Sequence, residues 1–191
     1  MKKTFFVFLI LLLLVGSFIA AQSADNSNPA LKPILGHFAA RNFAVGAVPK
    51  AQLDLILQAG IRAPSASNRQ PWHFTVVQDL TLAKKIVPQV NDGNVLIVVS
   101  AAGDGKTNGA VMLDCGLAVQ SMYLAAQALG LGSRIYSGPI AAVNSNLKTE
   151  LGIPSNQNAV ALVRVGLLPA GTDAVSSASA RNSADKTITW K

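Results

Sequence analysis

The apolar residues of this chain fall into one unbroken run near the start and a series of short periodic groups after it. The run, FFVFLILLLLV from Phe5 to Val15, has no polar interruption. Helical spacing follows over Leu31–Phe38 and Pro49–Ile61, where Leu53, Ile56, Leu57 and Ile61 share one face and Pro49 suits a first helical turn. The segment APSASNRQP is rich in turn-forming residues. His73–Val77 reads as a strand, Thr81–Val87 as a short helix, and Asn91-Asp92-Gly93 as a turn into VLIVV, a central strand buried on both faces. Gly109–Leu129 predicts the longest helix. It is Ala-rich and apolar around most of its circumference, so it is expected to be wrapped by protein on nearly all sides, with Gly130-Leu131-Gly132 as its stop. Ser133–Tyr136 predicts a short strand, Ala141–Leu151 a surface helix and Ala159–Gly166 a buried strand. From Ala170 no period remains, and Lys186–Trp190 reads as an edge strand or an extended arm. Helices and strands alternate irregularly, which predicts an α+β domain with a central mixed β-sheet flanked by helices.

The initial run has its own meaning. Lys2 and Lys3 precede it, and GSFIAAQSA with a polar DNSNP stretch follows. A basic start, about 7–15 apolar residues and small residues before a polar break form a secretory signal peptide. Cleavage after Ser23 or Ala24 would leave a leader at 1–24 and one domain at 25–191. A spanning helix needs about 20 apolar residues, so no stable membrane insertion is expected after signal removal, although a retained N-terminal anchor is the alternative. The expected location is periplasmic or extracellular.

Composition narrows the classes further. The chain has 191 residues, half of them hydrophobic, and a mean hydropathy of +0.38, enough for a single cored domain. Its net charge of +7 falls to +5 without the leader. The basic residues are scattered, so no nucleic-acid partner is expected. One cysteine, Cys115, excludes an intramolecular disulfide framework and a thiolate metal cage, and two histidines, His37 and His73, leave little for a metal site. Ser100-Ala-Ala-Gly-Asp-Gly-Lys-Thr107 sits where a phosphate loop belongs but lacks its first glycine, and a plain turn is preferred. No G-x-S-x-G occurs, Cys115 lies on an apolar helix face as an inert thiol, and Asp92, Asp104 and Asp114 form no acid–base pair. No catalytic side chain is assigned.

The segment Ala63-Pro-Ser-Ala-Ser-Asn68-Arg-Gln-Pro-Trp72-His-Phe74 carries the chemistry. With Arg41-Asn-Phe43 upstream, Asp114, Gly116 and Gln120 in the long helix, and Leu151-Gly-Ile-Pro154 before the strand ALVRVG, the chain resembles the nitroreductase family of FMN-dependent oxidoreductases over roughly residues 31–190. The resemblance implies a nitroreductase-like fold around the long helix, a homodimer with flavin sites at the subunit interface, and FMN as cofactor. It implies Arg41 and Arg181 as phosphate contacts, Pro64, Ser65, Ala66, Asn68 and Gln70 along the ring edge, and Ser137 and Gly138 near flavin N5. Guanidinium forks suit a phosphate dianion, and loop amides suit a polar ring edge. Under this reading a small-molecule donor, NAD(P)H in the family, passes electrons to nitroaromatic, quinone or similar flat acceptors by ping-pong chemistry at N5. An exported flavin-binding or small-molecule-binding module without turnover is the alternative. His37 and Ala39 stand where the family pattern has Arg and Ser.

Overall fold

A computed structural model describes residues 28–103, 109–175 and 180–191, so the expected leader and residues 104–108 of the loop after VLIVV lie outside the described residues. Helices α1 (Leu31–Gly36) and α2 (Lys50–Ile61) come first. A 3-10 turn at Ala66–Asn68 then leads into β1 (Trp72–Val77), followed by α3 (Leu80–Ile86), β2 (Val95–Ala102), α4 (Gly109–Ala128) and β3 (Gly132–Tyr136). The short helix α5 (Ile140–Ala142) runs into a π-helical turn, Val143–Leu147, before β4 (Gln157–Gly166) and α6 (Ala184–Thr187). Local chemistry sets several boundaries. Asp79 caps α3 by accepting the Leu82 N–H at 2.7 Å. Gly130, at φ 78°, closes α4 while the Leu131 N–H reaches back to the Ala126 carbonyl.

The strands form one sheet in the order β1-β2-β4-β3. VLIVV lies in β2, between β1 and β4, as its composition requires. The expected mixed sheet is corrected in one respect: all three pairings among the described strands are antiparallel. The helical crossovers α3 and α4 return the chain without placing any two like-directed strands side by side.

Alternation along β2 builds two cores. Val95, Ile97, Val99 and Ala101 face α2 and α4, packing with Ile56, Met122 and Ala126. Leu96 and Val98 face α3 and the π-helical turn, packing with Ala83, Ile86 and Val143. The result is a three-layer domain with α4 laid along the first face.

The expectation that α4 is wrapped on nearly all sides does not hold within one chain. Met112, Leu113, Gly116 and Gln120 are exposed, Leu113 at 64%, and form a stripe at one-turn spacing. The sheet covers only the opposite face. The Ala141–Leu151 helix is also shorter than expected. Asn144 donates to the Ala159 carbonyl at 2.9 Å and accepts its N–H at 2.8 Å, tying this segment to β4 beside the bulge at Val99/Ser100. Lys186–Trp190 pairs with no described strand; a four-residue helix precedes a tail whose Trp190 is 88% exposed.

Candidate functional site

Two groups of candidate residues lie at the two ends of α4. At its N-terminal end is the loop that α2 delivers to β1. Ser67, Asn68 and Gln70 all have left-handed backbones, with φ of 52°, 54° and 47°. Such conformations cost non-glycine residues roughly 1–2 kcal/mol each, so something must hold them.

The loop's own bonds do so. Asn68 N–H donates to the Ser65 carbonyl and Arg69 N–H to the Ala66 carbonyl. Gln70 N–H donates to Ser65 Oγ at 3.0 Å, and the Gln70 side-chain amide to Asn68 Oδ1 at 3.1 Å. Ala66 N–H donates to Asp114 Oδ1 at 3.0 Å, fastening the loop to α4. The amides of Ser65 and Ser67 are left over, facing no described acceptor.

Pro64, Ser65, Ala66, Asn68 and Gln70 are therefore brought together on one largely exposed loop, in which Pro64, lacking an N–H, offers only its carbonyl. Within that set the Ala66 amide is already engaged, and the Asn68 and Gln70 side chains are paired with each other. Trp72 and Phe74 follow on β1 with parallel rings, centroids 6.4 Å apart, beside a groove shared with Leu57, Ile61 and Gln70.

At the other end of α4 a strap without regular secondary structure, residues 37–44, crosses the start of β3. Ala40 N–H donates to the Ser133 carbonyl and Ala44 N–H to that of Leu167. Gln127, 2% exposed, grips Phe38 by both backbone groups: its Nε2 donates to the Phe38 carbonyl at 3.0 Å and its Oε1 accepts the Phe38 N–H at 3.2 Å. Asn91 and Asn94 donate to the carbonyls of Phe43 and Ala44. The buried Arg164 guanidinium donates to Asn94 Oδ1 at 2.7 and 2.9 Å and lies 4.0 Å over the Phe43 ring.

Arg41 is exposed and lines a cavity of about 400 Å³ with Phe38, Ala39, Asn42, Leu168, Pro169 and Thr172. His37 Nδ1 lies 2.8 Å from the Ile34 carbonyl, and its ring meets Tyr123 edge to face at 5.5 Å. Burial raises the Tyr123 phenol pKa, while its bond with Gln127 and the charge of Arg181 lower it. Arg181 thus acts on the same end of α4 as the strap.

Ser137 and Gly138 are exposed just after β3, on the opposite edge of the sheet from β1. The loop and the strap are not brought together. Asp114 and Gln127 are 13 positions apart on α4, roughly 20 Å at 1.5 Å per residue.

Three residues that hold this arrangement had no assigned role in the sequence. Gln127 sits alone in an Ala-rich run, Asp114 in an apolar helix and Arg164 in a buried strand. A polar residue inside a fully apolar pattern is the signal in each case, because burial demands a partner. Cys115, beside Asp114, is buried and its thiol is pushed up to about 11, chiefly by desolvation and then by the Asp114 charge.

By its fold and by the groups it presents, the chain is a three-layer α+β protein whose site offers guanidinium groups at one place and strained-loop amides at another. It belongs to the nitroreductase family, whose model matches residues 34–96 and 81–167. A protein of Archaeoglobus fulgidus named "Putative NADH dehydrogenase/NAD(P)H nitroreductase" is 34% identical over 146 residues, covering 71% of this chain and 83% of its own. A structure described as "a putative nitroreductase in complex with fmn", from Desulfovibrio desulfuricans, superposes with a TM-score of 0.70 at 29% identity. It covers 86% of this chain and 98% of its own. A Desulfitobacterium hafniense nitroreductase structure with bound FMN shares the fold at a TM-score of 0.70 and 24% identity, covering 86% of this chain and 98% of its own.

Proposed function

We propose that this chain is an FMN-dependent oxidoreductase that takes electrons from a small-molecule donor and passes them to flat conjugated acceptors such as nitroaromatics or quinones. Membership of the nitroreductase family supports the oxidoreductase class, and the FMN-bound relative at 29% identity supports the cofactor. The observation that carries the reading in this chain is the loop at 64–70, whose strained backbone leaves the Ser65 and Ser67 amides without acceptors among the described residues. A flavin ring has a polar edge that such amides fit, and a phosphate that Arg41 and Arg181 fit.

When bound, FMN supplies the electron transfer itself, cycling between oxidised and reduced forms as donor and acceptor alternate. The chain's residues bind and orient. Arg41 offers a charged fork at the rim of its cavity, and Arg181 adds positive charge at the same end of α4. The loop amides address the ring edge, and the Trp72–Phe74 wall borders the adjoining groove.

The two anchors, Asp114 for the loop and Gln127 for the strap, lie roughly 20 Å apart along α4. The exposed apolar stripe on α4 supports a homodimer in which the loop of one copy and the strap of the other flank each site. The segment at 1–24 supports export, read out by whether the N-terminus recovered from the cell exterior or periplasm begins after Ser23 or Ala24.

The test is a visible spectrum of the purified full chain incubated with FMN. Bound flavin that is bleached by NAD(P)H or dithionite and restored by a quinone is the expected result. A chain that stays colourless in excess FMN refutes the cofactor assignment, and bound flavin that never turns over refutes the enzyme.

A further inference from the structure

Asp114 is 2% exposed, yet only one of its carboxylate oxygens is bonded: Oδ1 accepts the Ala66 N–H at 3.0 Å, and the buried Oδ2 has no partner. A buried, half-satisfied carboxylate is costly. A helix this apolar is not held in place by it, because the packing of Cys115, Ala118, Val119 and Met122 already seats α4. Among the described residues, the one group Asp114 bonds is the loop's Ala66 N–H.

The direction of that hold matters. Ser65 is extended, with φ −144° and ψ 153°. In extended backbone, successive N–H groups point to opposite sides. With the Ala66 N–H turned in toward Asp114, the Ser65 N–H must turn out. The same bond fixes the start of the turn in which Ser67 and Asn68 take left-handed conformations.

We propose that Asp114 is a positioning residue of the flavin site: by accepting the Ala66 N–H it turns the Ser65 amide outward and sets the loop for the polar edge of the ring. This rests on the FMN reading above. It concerns the ring, not the phosphate, and a neutral acceptor at the same place does the same work.

Three variants test it: Asp114→Ala, which removes the acceptor; Asp114→Asn, which keeps an oxygen where Oδ1 is; and Ala66→Pro, which removes the donor. Proline suits the first position of a helical turn, and the extended Ser65 suits a following proline. Dissociation constants are measured for both FMN and riboflavin by flavin fluorescence, with far-UV circular dichroism and thermal melts to confirm folding. D114A and A66P are expected to weaken both flavins at least tenfold, by like factors, and D114N by less than threefold. The double variant D114A/A66P should lose no more than either single variant.

Wild-type chain that binds neither flavin overturns the function proposed above. Wild type that binds while D114A, folded, binds within twofold overturns the role of Asp114 alone. Additive losses in the double variant, or D114N as weak as D114A, would overturn it too. If D114A does not fold, A66P and D114N decide the matter.

Discussion

Replacing Gln127 by methionine is the sharpest test of how the strap is held. Methionine keeps the length and much of the volume of glutamine but can neither donate nor accept in its place. The change removes the bond from Nε2 to the Phe38 carbonyl at 3.0 Å, that from Nε2 to Ser133 Oγ at 3.0 Å, and the acceptance of the Phe38 N–H at 3.2 Å. Each net bond is worth about 1 kcal/mol, and buried groups left unpaired cost about 1–3 kcal/mol. Phe38 is half-buried, so water recovers part of the loss, whereas the Ser133 hydroxyl still donates to the Tyr123 carbonyl at 2.8 Å. The expected cost is therefore about 2–4 kcal/mol, or a fall in Tm of roughly 4–16 °C for a chain of this size.

Urea denaturation followed by circular dichroism measures this cost as a lower midpoint at unchanged slope. Gln58→Met, on the exposed face of α2, is the control and should stay within about 0.5 kcal/mol. The functional consequence is separable from the stability loss. The strap carries His37 and Arg41, so affinity for FMN should fall in Q127M while affinity for riboflavin, which lacks the phosphate, stays within twofold. A Q127M chain within 0.5 kcal/mol of wild type would falsify the claim that this amide anchors the strap.

Arg41→Ala should raise the FMN dissociation constant about tenfold or more, the loss expected for one charge-assisted bond; unchanged retention on gel filtration removes Arg41 from the site. His37→Arg with Ala39→Ser restores the two polar residues of the resembled pattern on the strap that carries Arg41 and should tighten FMN by about tenfold, and titration showing no change would mean that the phosphate lies elsewhere. Cys115 has a folded-state pKa raised from 9.0 to about 11, so its contribution to stability is complete below pH 9 and is lost as pH rises toward 11. Melts across pH 8–11.5 should show that loss and Cys115→Ala should reduce it, while the Tyr123 phenol, also raised, adds its own loss beginning near its ordinary value of 10.0. Ser67→Gly relieves a left-handed serine and should raise stability by about 0.5–1 kcal/mol with FMN affinity within twofold; a fall in the melting temperature would show that the serine side chain matters more than its backbone.

Much of this fold is visible in the sequence because period and burial agree. VLIVV has no polar face and becomes a central strand with two buried faces. The helix over Lys50–Ile61 buries Leu53 and Ile56, two members of its predicted stripe, and leaves Ile61 exposed at its end. APSASNRQPW stands out as a loop by composition, but its left-handed residues do not, since serine and glutamine carry no glycine-like signal for positive φ. The partners of Asp114 and Gln127 were equally hidden. Each bond joins segments separated by 48 and 89 positions, and local pattern carries no information about such pairings. The helix expected over Ala141–Leu151 ends early for a related reason: Asn144 reads as an ordinary surface residue until Ala159 is seen beside it.

The positions of the two anchors on α4 bear on how a complete site is assembled. Asp114 holds the loop and Gln127 holds the strap, and the midpoint between them falls at Gln120 and Ser121. Gln120 belongs to the exposed stripe, with Gly116 one turn before it, where no Cβ limits approach. A two-fold axis crossing α4 near this midpoint reverses the helix direction in the second copy. Residue 114 of one chain then lies toward residue 127 of the other, and each loop toward the partner's strap. A parallel arrangement would instead leave loop beside loop and strap beside strap, with ring contacts and phosphate contacts still roughly 20 Å apart. In the homodimer proposed above, the antiparallel crossing would bring each loop to the partner's strap and complete two equivalent sites, because an isologous interface repeats every contact it makes. Flavin binding and dimerisation would then be coupled, and FMN affinity would rise with protein concentration.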